Sequence, residues 1–530
     1  MARPDDSPVS TPLLRPTLLP LQRWLPRDLW ILLLIFCLFY CFRLGHFSIS
    51  IDDEFEAAGN YSNVWILTGR WAGFFIDRYL LPQTTIPFLP IFLFGFFMCL
   101  AYRLLLRTFD VAKPGPVHYL AFPFFIALPT WTYLTAFAAN IASAGIGCLL
   151  ATVALWRFRQ CIDVLGGKAV WRVPSSPRAV TAMLSLAVAM GLYQSFLFCF
   201  VVPALALLLL ASARESFSWS LLRRQLLVMI VIVLGAATFY LAADSVLRAA
   251  YGLNDRAYLG HFIDWHALLQ TPWTVIARTF GSMRTVYGGA QVVYGISAIA
   301  FPLVLLSGLW TIAALPGQNP GQRTAQLLLA AAMFAAPFTQ HFLSGGGMPA
   351  RTLVAVPTVF WFYALIGMSA RRFWLAAASF VVVLVAMLQI LYSSTLLQTA
   401  NYFARQQDQM LAEAVYARIV AAQPVQGDTR NLVVDFFGAK KFETIYPRPN
   451  SLSVGFSFFE WDGGNEGRML AYMRLLGYTN LRAPSLEQRK QDLAIFQQMP
   501  VWPARDSVRV AGDVTLIKLG PTPGYPFNTQ

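Results

Sequence analysis

Four acids crowd the stretch Ser48-Ile-Ser50-Ile51-Asp52-Asp53-Glu54-Phe55-Glu56, and Gly69-Arg70-Trp71 follows shortly after. The cluster begins where a first apolar segment, Leu29 to Tyr40 and the residues just beyond, would leave a membrane. One ionised carboxylate near a bilayer interior costs roughly 2.5–3.5 kcal/mol, so a group of four there needs a purpose. The chemistry open to it is general base catalysis. A hydroxyl is a poor nucleophile, and a carboxylate within about 2.6–3.2 Å can accept its proton as a new bond forms. Like-charge repulsion and desolvation raise the pKa of such neighbours and bring a base closer to working pH. A structural role is compatible with this. Ser50 and Asp53 have capping-box spacing, and acids in a first helical turn gain about 0.3–1 kcal/mol each from the macrodipole. A helix beginning at Ser50 would place Asp52 and Glu56 on one face and turn Asp53 away.

Arginines supply the complementary charge. Arg70, Arg78, Arg248, Arg256, Arg278, Arg284 and Arg351 fall in loops expected outside, where basic residues are not favoured. Guanidinium forks suit phosphate oxygens and stay charged in any environment. Arg351 stands at the mouth of an apolar segment behind Ser344-Gly345-Gly346-Gly347-Met348-Pro349-Ala350, whose glycines let backbone amides approach an anion. Its alternative is an interface arginine that snorkels; Arg278 and Arg284 read more simply as surface cations. Tyr193-Gln194 falls at an outer turn, where it could face a cleft or serve as an interface tyrosine and a turn. His261, Asp264 and His266 form an H-x-x-D-x-H run whose spacing could hold a metal, but no metal site is assigned. Nucleotide loops, the G-x-S-x-G elbow and H-E-x-x-H do not occur. Sugar nucleotides are lacking outside the cytoplasm, so a lipid-linked donor is the natural substrate for an enzyme working there.

These side chains must be positioned by membrane helices. Of 530 residues 57 % are hydrophobic and only 12 % charged, against about 25 % charged in soluble domains. The net charge of +14 gathers in short loops between apolar runs, so it reads as topology and not as a nucleic-acid surface. Six cysteines fall in apolar spans or inside loops without CxxC or Cys/His pairing, which argues against disulfides and zinc. The polar, basic N-terminus lacks a cleavage pattern and reads as a retained tail.

The expected fold is an all-α polytopic membrane protein with about eleven spans, near 28–46, 87–106, 118–136, 138–156, 179–194, 195–212, 225–247, 290–312, 324–342, 351–370 and 373–393. Residues 1–27 form a cytoplasmic tail and 28–393 the membrane module, with outer loops at 47–86 and 248–289. Residues 394–530 form a small outer α/β domain, so the N-terminus lies inside and the C-terminus outside. That domain carries a polar helical stretch over 396–420, strand-like Asn431–Gly438 and Val514–Lys518, and a helix around Arg468 to Leu476.

In order along the chain, the acidic pair, Trp65 with Gly69-Arg70-Trp71, Gly191-Leu192-Tyr193-Gln194, Gly345-Gly346-Gly347-Met348-Pro349-Ala350-Arg351 and Phe458-Phe459-Glu460-Trp461-Asp462-Gly463-Gly464-Asn465 form a pattern. It resembles the integral-membrane O-antigen glucosyltransferases of serotype-converting phages and many bacteria, members of the GT-C superfamily. The resemblance runs from about residue 30 to 520. It implies transfer of a sugar, typically glucose, from undecaprenyl phosphate to a polysaccharide repeat unit, with inversion. The site would face the periplasm, in the bacterial cytoplasmic membrane. It implies that Asp52-Asp53 are the catalytic acids, with Asp53 favoured as base and Asp52 or Glu54 as its neighbour. Arg351 and Arg70, with Trp71, Tyr193 and Gln194, would hold the donor, and Glu460, Trp461 and Asp462 of the tail would read the acceptor. No cofactor is obligatory, although paired carboxylates could take Mg²⁺ or Mn²⁺. The partners expected are the polyprenyl-linked donor, the polysaccharide, the bilayer, and functionally a donor-synthesising enzyme and a flippase. Two other classes remain open from the sequence: a transporter or lipid flippase, which would carry ionisable residues deep in several spans, and a non-catalytic polysaccharide-assembly protein.

Overall fold

The computed structural model describes residues 27–57, 63–81, 88–164, 176–213, 217–253, 260, 263–314, 319–424, 430–449 and 453–527. The expected tail before residue 27 lies outside them.

Six described helices are long and apolar enough to cross a membrane: Arg27–Gly45, Leu89–Thr108, Ile141–Val164, Trp219–Ala250, Pro320–Leu343 and Phe373–Ala422. Five shorter apolar helices, Pro116–Ala127, Pro177–Leu192, Phe196–Ser212, Ala300–Ala313 and Val356–Met368, occupy the other expected segments. Outward-facing Leu234, Leu241, Val246, Leu327 and Leu388 are all more than half exposed. Such faces on a polypeptide of this composition need hydrocarbon around them.

Several expected spans are interrupted for local reasons. The 118–136 segment breaks at Leu128, whose φ of −54° and ψ of 136° are the extended conformation imposed on a residue preceding proline; Pro129 then opens a second short helix, Pro129–Thr135. The 290–312 segment breaks at Gly295, which caps Gln291–Tyr294 with φ 71°. The 351–370 segment becomes helical only at Val356, after a tight turn over Ala350–Thr352.

The largest correction concerns the last span. The stretches 373–393 and 396–420 are one helix, Phe373–Ala422, of 50 residues. At 1.5 Å per residue it is about 75 Å long, more than twice the thickness of a hydrocarbon core. Its far half carries the tail domain. There, β2 (Leu481–Arg482), β1 (Leu432–Phe437), β4 (Val514–Lys518) and β3 (Val508–Ala511) form a sheet in that order. β1 is parallel to β2 and β4, with Val433 opposite Val514 and Phe437 opposite Lys518, and β3 pairs antiparallel with β4. Helices Glu466–Leu475 and Leu486–Gln498 complete the domain.

Candidate active site

The acidic stretch folds into one short helix, Asp53–Ala57. Only half of the expected capping box forms: the Ser50 backbone N–H donates to Asp53 Oδ2 at 2.7 Å, while Ser50 Oγ donates to the carbonyl of Ser453 in the tail domain at 2.7 Å. Asp52 precedes the helix with φ 79°, a left-handed conformation that an aspartate holds only where its surroundings fix it.

Asp53 is fully buried. Its Oδ2 also accepts the backbone N–H of Ala138 at 3.1 Å, at the start of helix Ala138–Val164. Arg43, in the last turn of the first helix, donates to the carbonyl of Ala136 at 3.3 Å and feels the charge of Asp53. The residue expected to be the base is therefore the sealed member of the pair, tied to backbone amides. Asp52 is the open one, with 40 % of its side chain exposed.

Arg468 is the residue that sequence reasoning missed. From the tail helix Glu466–Leu475 its Nη2 meets Asp52 Oδ1 at 3.0 Å, its Nη1 meets Glu54 Oε1 at 2.5 Å, and its Nε meets Asp462 Oδ2 at 2.7 Å. Burial alone would lower its pKa, but the three carboxylates override that and raise it above the ordinary range. It lies 416 positions from Asp52, so no local signal marks it beyond being a charge in a charge-poor chain.

Electrostatics tune the remaining acids. Burial pushes Glu54 up to about 7, against the pull of Arg468. Glu56 is pushed up to about 9 by burial and by the charges of Asp77, Asp53 and Asp52. Asp77, which accepts a hydrogen bond from Trp65, is raised to about 7 by burial. Glu54 Oε2, Glu56 Oε2 and Asp77 Oδ2 are buried without a hydrogen-bond partner among the described residues, and so are Arg70 Nε and Trp71 Nε1. Buried polar atoms are normally satisfied, and these five lie within residues 54–77. Among the described residues no cluster of His, Cys, Asp and Glu could hold a metal ion; His261 lies outside them, and Asp264 caps helix Trp265–Gln270 through the Ala267 N–H at 2.8 Å.

The Gly69-Arg70-Trp71 loop is clamped in place. Gln194 donates to the carbonyl of Thr68 at 2.9 Å, Tyr240 Oη donates to that of Gly69 at 3.0 Å, and Arg248, paired with Asp244 at 2.8 Å, donates to that of Leu67 at 3.1 Å. The Arg70 guanidinium lies 4.9 Å from the ring centre of Tyr193 and 5.7 Å from that of Trp65. Trp71 packs on Gly191, where a Cβ would meet its ring at 2.6 Å. The structure thus brings Arg70, Trp71, Tyr193 and Gln194 together.

Arg351 stacks over Phe137 at 5.1 Å. Phe137 is the neighbour of Ala138, whose amide Asp53 accepts, so Arg351 and the acids converge on one elbow of chain. Arg351 makes no ion pair among the described residues. Its glycine loop is packed at Gly346, which at φ 91° lies where a Cβ would strike Arg278 at 2.6 Å, and open at Gly347.

The tail residues divide. Asp462 joins the Arg468 network, and Glu460 pairs with Arg448 at 3.0 Å. Trp461 is buried, covered by Phe458 and the Arg405 guanidinium, and Tyr472 is buried on Phe458. Both rings pack in the domain core.

A sequence profile described as Glucosyl transferase GtrII matches residues 41–368, more than half of the chain. The chain belongs to the GtrII glucosyltransferase family. The resemblance carried by its ordered motifs therefore holds, and a member of this family is a glycosyltransferase set among apolar helices. The GtrII match covers the acids, Arg70, Trp71, Tyr193, Gln194 and Arg351 but not the tail with Arg468. No curated protein and no solved structure matches the chain.

Proposed function

We infer that this GtrII glucosyltransferase moves glucose from a polyprenyl phosphate, of the undecaprenyl class, to a hydroxyl of a periplasmic polysaccharide such as an O-antigen repeat unit, with inversion. The observation that carries this reading is the pairing of an acid cluster with two guanidinium groups, Arg70 and Arg351, that have no carboxylate partner among the described residues. A donor phosphate supplies the missing anion, and its developing charge on departure is what such groups stabilise. The prenyl chain then lies between apolar helices of a GT-C-like module of about eleven crossings in the bacterial inner membrane. The N-terminus is cytoplasmic, and the acids and tail domain are periplasmic. A donor-synthesising enzyme and a flippase must supply the lipid-linked sugar.

Within the cluster Asp52 is the base, since its carboxylate alone is substantially open, and Asp53 is a positioning residue that pins the acidic helix to the elbow at Ala138. Glu56 holds a proton at neutral pH, Asp77 is about half protonated there, and in that form either can donate to sugar hydroxyls. No step requires a metal, although Mg²⁺ or Mn²⁺ binding by Asp52 and its neighbours is a separate matter for titration. A flippase reading is disfavoured because the ionisable groups collect at helix ends. The test compares Asp52→Asn with Asp53→Asn in a transfer assay and a thermal melt. Asp52→Asn is expected to cut transfer by about 10³-fold at unchanged stability. Asp53→Asn is expected to cost about 1.5–3 kcal/mol through its charged hydrogen bonds with a smaller effect on rate. Full activity of Asp52→Asn sinks the assignment.

A further inference from the structure

At the ends of the helices farthest from the acids lies an apolar slot of about 180 Å³, lined by Leu209, Ile312, Ile366 and Leu375 and rimmed by Arg371 and Arg372. Leu209 sits near the end of helix Phe196–Ser212, which starts just after Tyr193-Gln194. Ile366 sits near the end of helix Val356–Met368, which starts just after Arg351. Seventeen helical residues span about 25 Å, so the slot and the acid site occupy opposite ends of the same layer.

Its chemistry is distinctive. An apolar cavity of roughly 150 Å³ accepts a benzene-sized group, so this one has room for a stretch of hydrocarbon. No acidic side chain is among the lining residues, and neither rim arginine makes an ion pair among the described residues. Three helices present their carbonyl ends here, Phe196–Ser212, Ala300–Ala313 and Val356–Met368. Their dipoles alone would repel an anion; the two guanidinium groups and the N-terminus of the long helix, just past Arg372, reverse that. Phe373 and Trp374, 86 % and 57 % exposed, are placed beside the rim as interface anchors.

We propose that this slot binds an anionic phospholipid of the leaflet opposite the acid site, with its phosphate between Arg371 and Arg372 and part of one acyl chain among the leucines and isoleucines. Basic pockets between membrane helices recognise anionic headgroups in this way, and the site is independent of the transfer chemistry. Native mass spectrometry of the full chain in detergent, titrated with phosphatidylglycerol, phosphatidylcholine of the same acyl chains, a polyprenyl phosphate and inorganic phosphate, tests it. Phosphatidylglycerol should be retained at least ten-fold better than phosphatidylcholine. The double variant Arg371→Gln/Arg372→Gln should lose roughly 30-fold in its affinity, as expected for two surface cations. Ala314→Phe, at the exposed edge of the slot, should weaken it while leaving both charges. Equal retention of phosphatidylcholine, displacement by inorganic phosphate, a preference for polyprenyl phosphate, or undiminished binding by the double variant would each overturn the proposal.

Discussion

Arg468 sets the behaviour of the acids by dividing one positive charge among Asp52, Glu54 and Asp462. Glu54 is completely buried, and its folded pKa of about 7 lies above the usual value. It therefore contributes stability that is full below about pH 4.5 and is lost as pH rises through 7. Arg468→Gln removes the only ion-pair partner that Glu54 has among the described residues. Breaking a buried pair costs about 3–5 kcal/mol, so the variant should lose about 3 kcal/mol at pH 8 and distinctly less at pH 5.5, where Glu54 carries a proton. Thermal melts at the two values check this; an equal loss at both would mean that Glu54 is not the group responsible. Sequence reading found Asp52, Asp53 and Glu54 because charge is conspicuous at a membrane edge. The backbone amides of Ser50 and Ala138 that occupy Asp53 leave no trace in composition or spacing.

At the level of elements, the site is held by short, closely fitted pieces. Trp71 lies flat on the helix Pro177–Leu192 only because Gly191 has no side chain, and Arg70 is aligned beside Tyr193 through the same loop. Gly191→Ala should push the Trp71 ring outward, and since misplacement by about 1 Å can cost 10²-fold, kcat/KM should fall by that order with the melting temperature changed by only a few degrees. Kinetics on the purified variant decide it, and wild-type kcat/KM would show that Trp71 does not position the donor. The apolar helices were legible because hydropathy marks them directly. The break at Leu128 was written in Pro129 but hidden inside an unbroken apolar run. The continuation of Phe373–Ala422 past the membrane was obscured by the switch from apolar to polar residues near 396, a change of surroundings and not of conformation.

Across the whole molecule, the long helix and the tail domain close the site from above. Ser453 accepts from Ser50 and donates to the carbonyl of Tyr133 at 3.2 Å, Asp408 of the long helix accepts the Phe458 N–H at 3.2 Å, and Arg468 completes the lid over the acids. The α/β character of the tail was readable from its strands β1 and β4, whereas its role in building the site was not, because contacts between residues more than 400 positions apart have no periodicity to betray them. In the proposed function the carboxylates of the Asp52–Glu56 stretch are assigned to the acceptor and the guanidinium groups of Arg70 and Arg351, which have no carboxylate partner among the described residues, to a sugar phosphate. Affinity for a polyprenyl-phosphoryl glucose donor, measured on wild-type, Arg351→Ala and Asp52→Asn protein, tests that division most directly. The account predicts that Arg351→Ala weakens donor binding roughly 10- to 100-fold, the worth of a charged hydrogen bond, and that Asp52→Asn binds donor normally without transferring it. Unaltered donor affinity in Arg351→Ala would contradict it.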